Sequence, residues 1–373
     1  MIQDPVALLA FMFLVVAFAR LLETRFAFVQ KISSAVVCTL LGILLANIGV
    51  IPHTSDVHTG VSTYAVPYAI VLVILSSRLK DLKKAGWPLV LCFGLAGAGT
   101  FVGAMTASLL FGSSLGDETW KLGGTFAGAF WGGGMNFAAV GQALEMTPSL
   151  YAAAFVVDNL STVPWMLTQV GLVAILGAYY RTSERTMSPE GSDDEIRKAW
   201  TETTVTISDL AWLAALPLAF LWLAERLGAG GPFQVLFLTT CALVAAQLPW
   251  VHRLKGAAVL SYFALHLFFI VIGAVSDIGE VVTAGPMLFV YMLTIIAVHA
   301  LFVYGIGYLV HLDLPSLTIA SQAAVGGPGS ALALGMAMKW GPLVTPGIIV
   351  GIFGYGVGNY LGFATAYLLR SLL

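Results

Sequence analysis

Runs of apolar residues dominate the chain and are interrupted by short polar or charged intervals. A helix needs about 20 apolar residues to cross the hydrocarbon of a bilayer. Twelve segments meet or approach that length: 5–22, 32–50, 61–77, 87–112, 121–146 and 149–180, then 208–226, 231–251, 256–276, 285–310, 314–340 and 343–370. Between the sixth and seventh, residues 181–207 gather Arg181, Glu184, Arg185, Glu190, Asp193, Asp194, Glu195, Arg197, Lys198 and Glu202 among Ser and Thr. That stretch predicts a cytoplasmic linker between two apolar halves, 1–180 and 208–373. The pattern predicts an all-α polytopic membrane protein.

Loop charge decides how many segments cross, because Lys and Arg concentrate on the cytoplasmic side. If all twelve cross, the 17 Lys and Arg residues divide 9 to 8, which is no bias. If 121–146 and 314–340 instead dip in and return, the cytoplasmic loops collect Arg20, Arg25, Lys31, Arg78, Lys80, Lys83, Lys84, the four basic residues of the linker, Arg253, Lys255 and Lys339. Only Lys121, Arg226 and Arg370 remain outside, a split of 14 to 3. Ten spans plus two re-entrant hairpins are therefore expected in a cell (inner) membrane, with the N-terminus and C-terminus outside. Each half then crosses five times, an odd number, so the halves enter from opposite faces. The result is two inverted repeats of five transmembrane helices each, with one re-entrant hairpin per repeat, a construction found in many secondary transporters.

The hairpins share a glycine-rich centre. The first reads Gly132-Gly133-Gly134-Met135-Asn136-Phe137-Ala138-Ala139 and the second Gly326-Gly327-Pro328-Gly329-Ser330-Ala331-Leu332-Ala333. Setting 132–148 on 326–342 matches six positions in 17, including Gly133/Gly327 and Pro148/Pro342, and puts Asn136 opposite Ser330. An arm of about eleven helical residues is about 17 Å long and reaches the middle of the hydrocarbon. Non-helical backbone survives there only when buried in protein or lining a polar cavity. A helix restarting at Asn136 or Ser330 would have a polar first residue as its N-cap and would present bare amides at mid-membrane. The alternative is a close-packing face of an ordinary helix, against which the Gly-Gly-Pro-Gly run argues.

Composition narrows the classes further. The chain is 59% hydrophobic and only 10% charged, against about 25% charged in soluble domains. Its net charge of −2 comes from mixed signs, so no basic surface exists for a nucleic-acid partner. Cys38, Cys92 and Cys241 lie far apart in apolar runs, which fits small buried residues rather than a metal site or disulfide framework. The apolar stretch 6–19 ends in Ala17-Phe18-Ala19 but lacks a basic n-region, so it is read as a retained first span.

Few polar residues fall at depth. Asp158 is the one acid or base in 146–180 and sits about 14 Å into its helix, where an ionisable group is a functional candidate by default. Asn159, Ser161, Thr162 and then Pro164 follow; the proline would free a carbonyl near Leu160. Such surroundings suit Na⁺, and a lone carboxylate would equally carry H⁺. Asn359 lies in the charge-free run 343–369, where an amide is either interhelical glue or a ligand group. Gln322, Ser321 and Thr318 lie on the descending arm of the second hairpin. His266 and His299, 33 residues apart without acidic partners, read as core histidines. The run from Gly94 to Gly99 reads as helix packing.

At the hairpins, Gly133-Gly134 with Asn136-Phe137-Ala138-Ala139, Gly326 to Ala331 and Gly358-Asn359-Tyr360 resemble the YjcL-like bacterial and plastid membrane proteins, grouped as a domain of unknown function. The layout is more distantly similar to glutamate–sodium, citrate–sodium and bile-acid–sodium symporters. That likeness implies inverted repeats whose tips meet at the site and an elevator-like core, here segments 121–180 and 314–370, on a scaffold, with a possible homodimer. The expectation is an ion-coupled (Na⁺ or H⁺) secondary active transporter of a small organic solute, possibly anionic, and not an enzyme. Gly133, Gly134, Asn136, Gln322, Gly327, Gly329, Ser330 and Asn359 would bind substrate, and Asp158, Asn159 and Thr162 the coupling ion; no other cofactor is expected. An intramembrane enzyme acting on a lipid-linked substrate and a passive channel are the alternatives.

Overall fold

The structure, a computed structural model, describes residues 1–180 and 204–373, and every regular element among them is helical. The expected linker falls, as far as residue 203, outside the described residues. The first half contains α1 (Pro5–Arg25), α2 (Ser34–Asn47), α3 (Asp56–Ile74), α4 (Trp87–Leu115), α5 (Thr119–Gly132), α6 (Gly134–Ala143) and α7 (Pro148–Leu176). The second contains α8 (Ile207–Arg226), α9 (Gly231–Ala245), α10 (Ala257–Ala274), α11 (Ile278–Leu309), α12 (Leu314–Ala337, broken at Gly327) and α13 (Gly341–Leu372). Eight of these (α1, α3, α4, α7, α8, α10, α11 and α13) are long and apolar enough to cross a membrane. The other two expected spans, α2 and α9, have 14 and 15 residues and so reach only about 21–23 Å.

Local chemistry sets the helix starts. Side-chain oxygens of Asp4, Ser55, Thr206, Asp277 and Asp313 accept first-turn amides of α1, α3, α8, α11 and α12, which satisfies donors that have no intrahelical partner. The ends of the two glycine-rich segments match closely. Gly133 has φ 71°, ψ −164° and Gly327 has φ 76°, ψ −174°, a left-handed φ that favours glycine. Further on, Glu145 (φ 54°) and Lys339 (φ 58°) both follow a helix C-terminus. There Met146 N–H bonds Gly141 O at 3.2 Å and Trp340 N–H bonds Gly335 O at 2.8 Å, the 6→1 bond of a Schellman cap.

Both segments are hairpins. Thr125 and Gly141 lie eight residues on either side of Gly133 and would be about 24 Å apart in a continuous helix. Instead, a Cβ on Gly141 would stand 3.2 Å from Thr125 Cγ2, and the Phe126 and Phe137 rings meet edge to face at 5.7 Å. The open end is closed by Lys121 Nζ donating to Glu145 O (2.7 Å), and by Thr147 N–H and Oγ1 donating to Glu118 Oε2 (3.0 and 2.9 Å). In the second segment Ile319 and Gly335, eight residues either side of Gly327, meet in the same way: a Cβ on Gly335 would lie 3.5 Å from Ile319 Cδ1. The helices restart immediately after Gly133 and Gly327, not at Asn136 and Ser330. The left-handed glycines themselves end the descending helices, which leaves Asn136 and Ser330 in the first turn of the ascending ones.

The helices sort into two bodies. In one, α2 and α10 touch backbone to backbone: a Cβ on Gly42 would be 2.3 Å from Ile270 O, and one on Gly273 would be 2.1 Å from Thr39 O. Ser261 Oγ of α10 donates to Ala69 O of α3 (2.8 Å), and Tyr68 of α3 donates to Leu213 O of α8 (3.2 Å). In the other body, α4 and α11 embrace the two hairpins, expected from the sequence at 121–146 and 314–340. Gly97 of α4 lies under the Trp131 ring, Gly103 under Ile295 O, and Gly307 of α11 under Leu317. Gly97 and Gly99 thus serve helix packing, as their setting within an apolar run indicates, whereas Gly94 faces open space. Between the bodies lie the stacked Phe155–Phe269 pair (4.0 Å) and the Tyr151–Phe268 edge contact (5.8 Å).

Candidate functional site

The two hairpin tips meet. A Cβ on Gly133 would lie 3.8 Å from Gly327 Cα. They arrive from opposite ends of the same two helices. Along α13, the second hairpin occupies the first half, with Ile319 beside Gly347 and Pro328 beside Gly351. The first hairpin occupies the rest, with Gly132 beside Gly354, Gly128 beside Gly358 and Gly124 beside Ala366. Along α7, the first hairpin packs on Tyr151 and Phe155 through Phe137 (5.2 and 5.5 Å between rings) and through Gly134. The second hairpin packs on Thr162 through Gly326, and Gln169 Nε2 donates to Thr318 O (3.2 Å) further along.

Asp158 sits at this junction. Residues 155, 158 and 162 share one helical face, and Phe155 touches the first tip while Thr162 touches the second. The Asp158 side chain is buried, and its Oδ1 has no hydrogen-bond partner among the described residues. A buried carboxylate oxygen left unpaired is costly, so a cation or a proton placed there would recover energy. Ser161 Oγ donates to Asp158 O (2.5 Å), and Asn159 Nδ2 turns back to Phe155 O (2.9 Å). Asn159 is thereby tied within its own helix, while Thr162 presents its methyl to Gly326.

The expected substrate residues divide by what they already hold. Asn136, in the first turn of α6, donates Nδ2 to Tyr355 O (3.0 Å) and to Asn359 Oδ1 (2.8 Å), and its own buried Oδ1 is unpartnered. Asn359 continues the line by donating Nδ2 to Thr239 Oγ1 of α9 (2.9 Å), so its amide bridges the two bodies. Ser330 Oγ donates within its own hairpin, to Gly327 O (2.9 Å) and Gln322 O (3.1 Å). Gln322 lies one turn before Gly326, wholly buried, with neither Oε1 nor Nε2 bonded. Gly133, Gly134 and Gly327 form the meeting point itself, while Gly329 is exposed, with open space where a Cβ would stand. No lysine or arginine is placed among these groups, and no His/Cys/Asp/Glu cluster suited to a metal occurs among the described residues.

Sequence reasoning missed Tyr151 and Trp165. They lie seven residues before and after Asp158, hence on its face, and both are buried with unpartnered Tyr151 OH and Trp165 Nε1. That spacing was visible in the chain. Thr239 was missed as well, and it carried no local signal, since its partner stands 120 residues away.

A family model described as a protein of unknown function (DUF819) matches residues 9–372. The chain is also similar to the uncharacterized membrane protein YjcL of Bacillus subtilis (strain 168), with 27% identity over 361 residues, covering 91% of each chain. With its apolar helices, this makes it a multi-pass membrane protein.

Proposed function

The chain belongs to the DUF819 family, whose description assigns no activity, and from the site we propose that it is an ion-coupled secondary active transporter of a small organic solute. The observation that carries this reading is the meeting of two hairpin tips, from opposite ends of α7 and α13, at the level of a buried carboxylate. Broken helices meeting at mid-depth are how many transporters build a site that either face of the membrane can reach. In this reading Asp158 takes the coupling Na⁺ or H⁺. Asn136 Oδ1, Gln322 and the first-turn amides behind Gly133 and Gly327 take the solute.

The two halves act as inverted repeats. Supporting this are the equal dihedrals at Gly133 and Gly327 and the equivalent caps at Glu145 and Lys339, both pairs 194 residues apart. The helix lengths also follow the same order in the two halves, 21, 14, 19 and 29 against 20, 15, 18 and 32. The body holding the hairpins, α4, α7, α11 and α13 moves elevator-like against the body of α1–α3 and α8–α10, across the aromatic seam.

The test is thermal-shift screening of the purified protein against metabolites with and without Na⁺, followed by uptake of any hit into proteoliposomes under an imposed Na⁺ or H⁺ gradient. Gradient-driven uptake is expected for the wild type, with loss of at least tenfold for Asp158→Asn while that variant still purifies folded. Uptake indifferent to both gradients, or unchanged in Asp158→Asn, contradicts the reading.

A further inference from the structure

Three histidines are buried within the apolar helices, His58, His266 and His299, and for the last two the hydrogen bonds can be counted donor by donor. His299 of α11 closes with a neutral ring. Thr100 Oγ1 donates to Ala96 O (3.1 Å), so at His299 Nδ1 (2.9 Å) it accepts; Nε2 is then bare and accepts from Ser321 Oγ (2.8 Å). Each hydrogen has one acceptor, and none is missing.

His266 of α10 does not close in that way. Its Nδ1 stands 2.7 Å from Tyr262 O, a carbonyl, so Nδ1 carries a hydrogen. Its Nε2 stands 2.9 Å from Ser34 Oγ of α2. The same Ser34 Oγ is 2.9 Å from Glu23 Oε2, and Ser34 N–H donates to Glu23 Oε1 (3.2 Å). One hydroxyl hydrogen thus faces two acceptors, a carboxylate and a neutral imidazole nitrogen. The line Glu23–Ser34–His266 is complete only with one more proton. Arg20 is ion-paired to Glu23 and stands 3.4 Å from Ser34 Oγ, so with Arg20, Ser34 Oγ and Ser34 N–H the Glu23 carboxyl already has its donors, and Nε2 is the acceptor left without a hydrogen. The acidic side chain of Glu23 stands one hydroxyl away from Nε2.

We infer that His266 is a proton-binding site, reached from solvent through Glu23 and Ser34. The path is graded: the Arg20 side chain is 58% exposed and that of Glu23 20%, whereas Ser34 and His266 are buried. The groups facing the ring are Arg20 and Glu23 from α1, Ser34 from α2, and the Tyr262 carbonyl from α10 itself; Cys38 lies one turn beyond Ser34. On the other helices packed against α10, Tyr151 of α7 contacts Phe268, and His58 of α3 shares a cavity with Val271 and Val275; neither is bonded to the ring. With the proton bound, α1, α2 and α10 are tied at one point. Without it, two lone pairs oppose each other there. Because α10 also bears Phe269 against Phe155 and Ser261 against Met135 of the first hairpin (3.7 Å), the site couples pH to the wall against which the hairpin body rests.

The inference is independent of transport. The experiment is ¹⁵N-histidine solid-state NMR of the full chain in lipid bilayers between pH 5 and 8, with the His266 signal assigned by its loss in His266→Gln. The expected result is an imidazolium at the acid end that gives way to the Nδ1–H neutral form as pH rises, with His299 neutral throughout. Glu23→Gln or Ser34→Ala should move that midpoint down by at least tenfold in proton concentration. A His266 ring that stays neutral over the whole range overturns the inference, as does a midpoint indifferent to both substitutions.

Discussion

Asp158 was legible as a single letter because an acid alone in an apolar run needs no neighbour to stand out. Asn359 and His266 were not, because what each does depends on a partner 120 or 232 residues away: Thr239 fixes the first, Ser34 the second. A similar contrast separates polar from small residues. Asp158 Oδ1 holds no bond, so Asp158→Asn removes charge without breaking a contact and is expected to leave thermal stability nearly unchanged. Gly354 is the opposite case. A methyl there would fall 1.8 Å from Trp131 O, a backbone atom that cannot turn aside. Overpacking of this kind costs about 1–3 kcal/mol or more. Gly354→Ala should therefore lower the melting temperature clearly, and a wild-type melting curve would show that α13 and the first hairpin are not in contact there.

At the scale of elements, the helix boundaries followed from apolar length and capping chemistry, and the reversals from glycine runs. What the pattern misplaced was the restart of each helix, because Asn and Ser are good caps on average while the left-handed φ at Gly133 and Gly327 already ends the preceding turn. The first hairpin also has a clip that charge counting alone would not reveal. Glu118, immediately before α5, receives Lys121 Nζ (2.5 Å) and both donors of Thr147. Burial would push its carboxyl up, but Lys121 and Thr147 outweigh that and hold it below the ordinary carboxylate value. A depressed carboxyl stabilises the fold above its unfolded titration range and loses that contribution as pH falls through the folded value. Glu118→Gln is expected to cost about 1 kcal/mol at neutral pH, a figure discounted for partial exposure. The melting temperatures of mutant and wild type should converge in acid as the wild-type carboxyl protonates. A gap that stays constant with pH would show that the clip does not act through charge.

For the whole molecule, the division of 17 basic residues between loops already implied opposite entry of the two hairpins. In the fold, the two hairpins contact α7 and α13 from opposite ends of those helices. The two hairpins nonetheless differ in how they sit. In the first, Met135 and Ala139 are buried, with Met135 against α10, while their counterparts Gly329 and Ala333 in the second are exposed. In the elevator reading proposed above, a moving body at one end of its travel would leave such an inequality between matched elements. An alignment of the two halves does not contain it, because burial depends on what each hairpin packs against in the fold.

The architecture is tested most directly by cysteine labelling. In a background with Cys38, Cys92 and Cys241 replaced by serine, Glu145→Cys and Lys339→Cys report the open ends of the two hairpins. A membrane-impermeant maleimide added to intact cells should label position 145 and not 339, and added to inverted vesicles it should label 339 and not 145. Labelling of both from the same face would contradict the account.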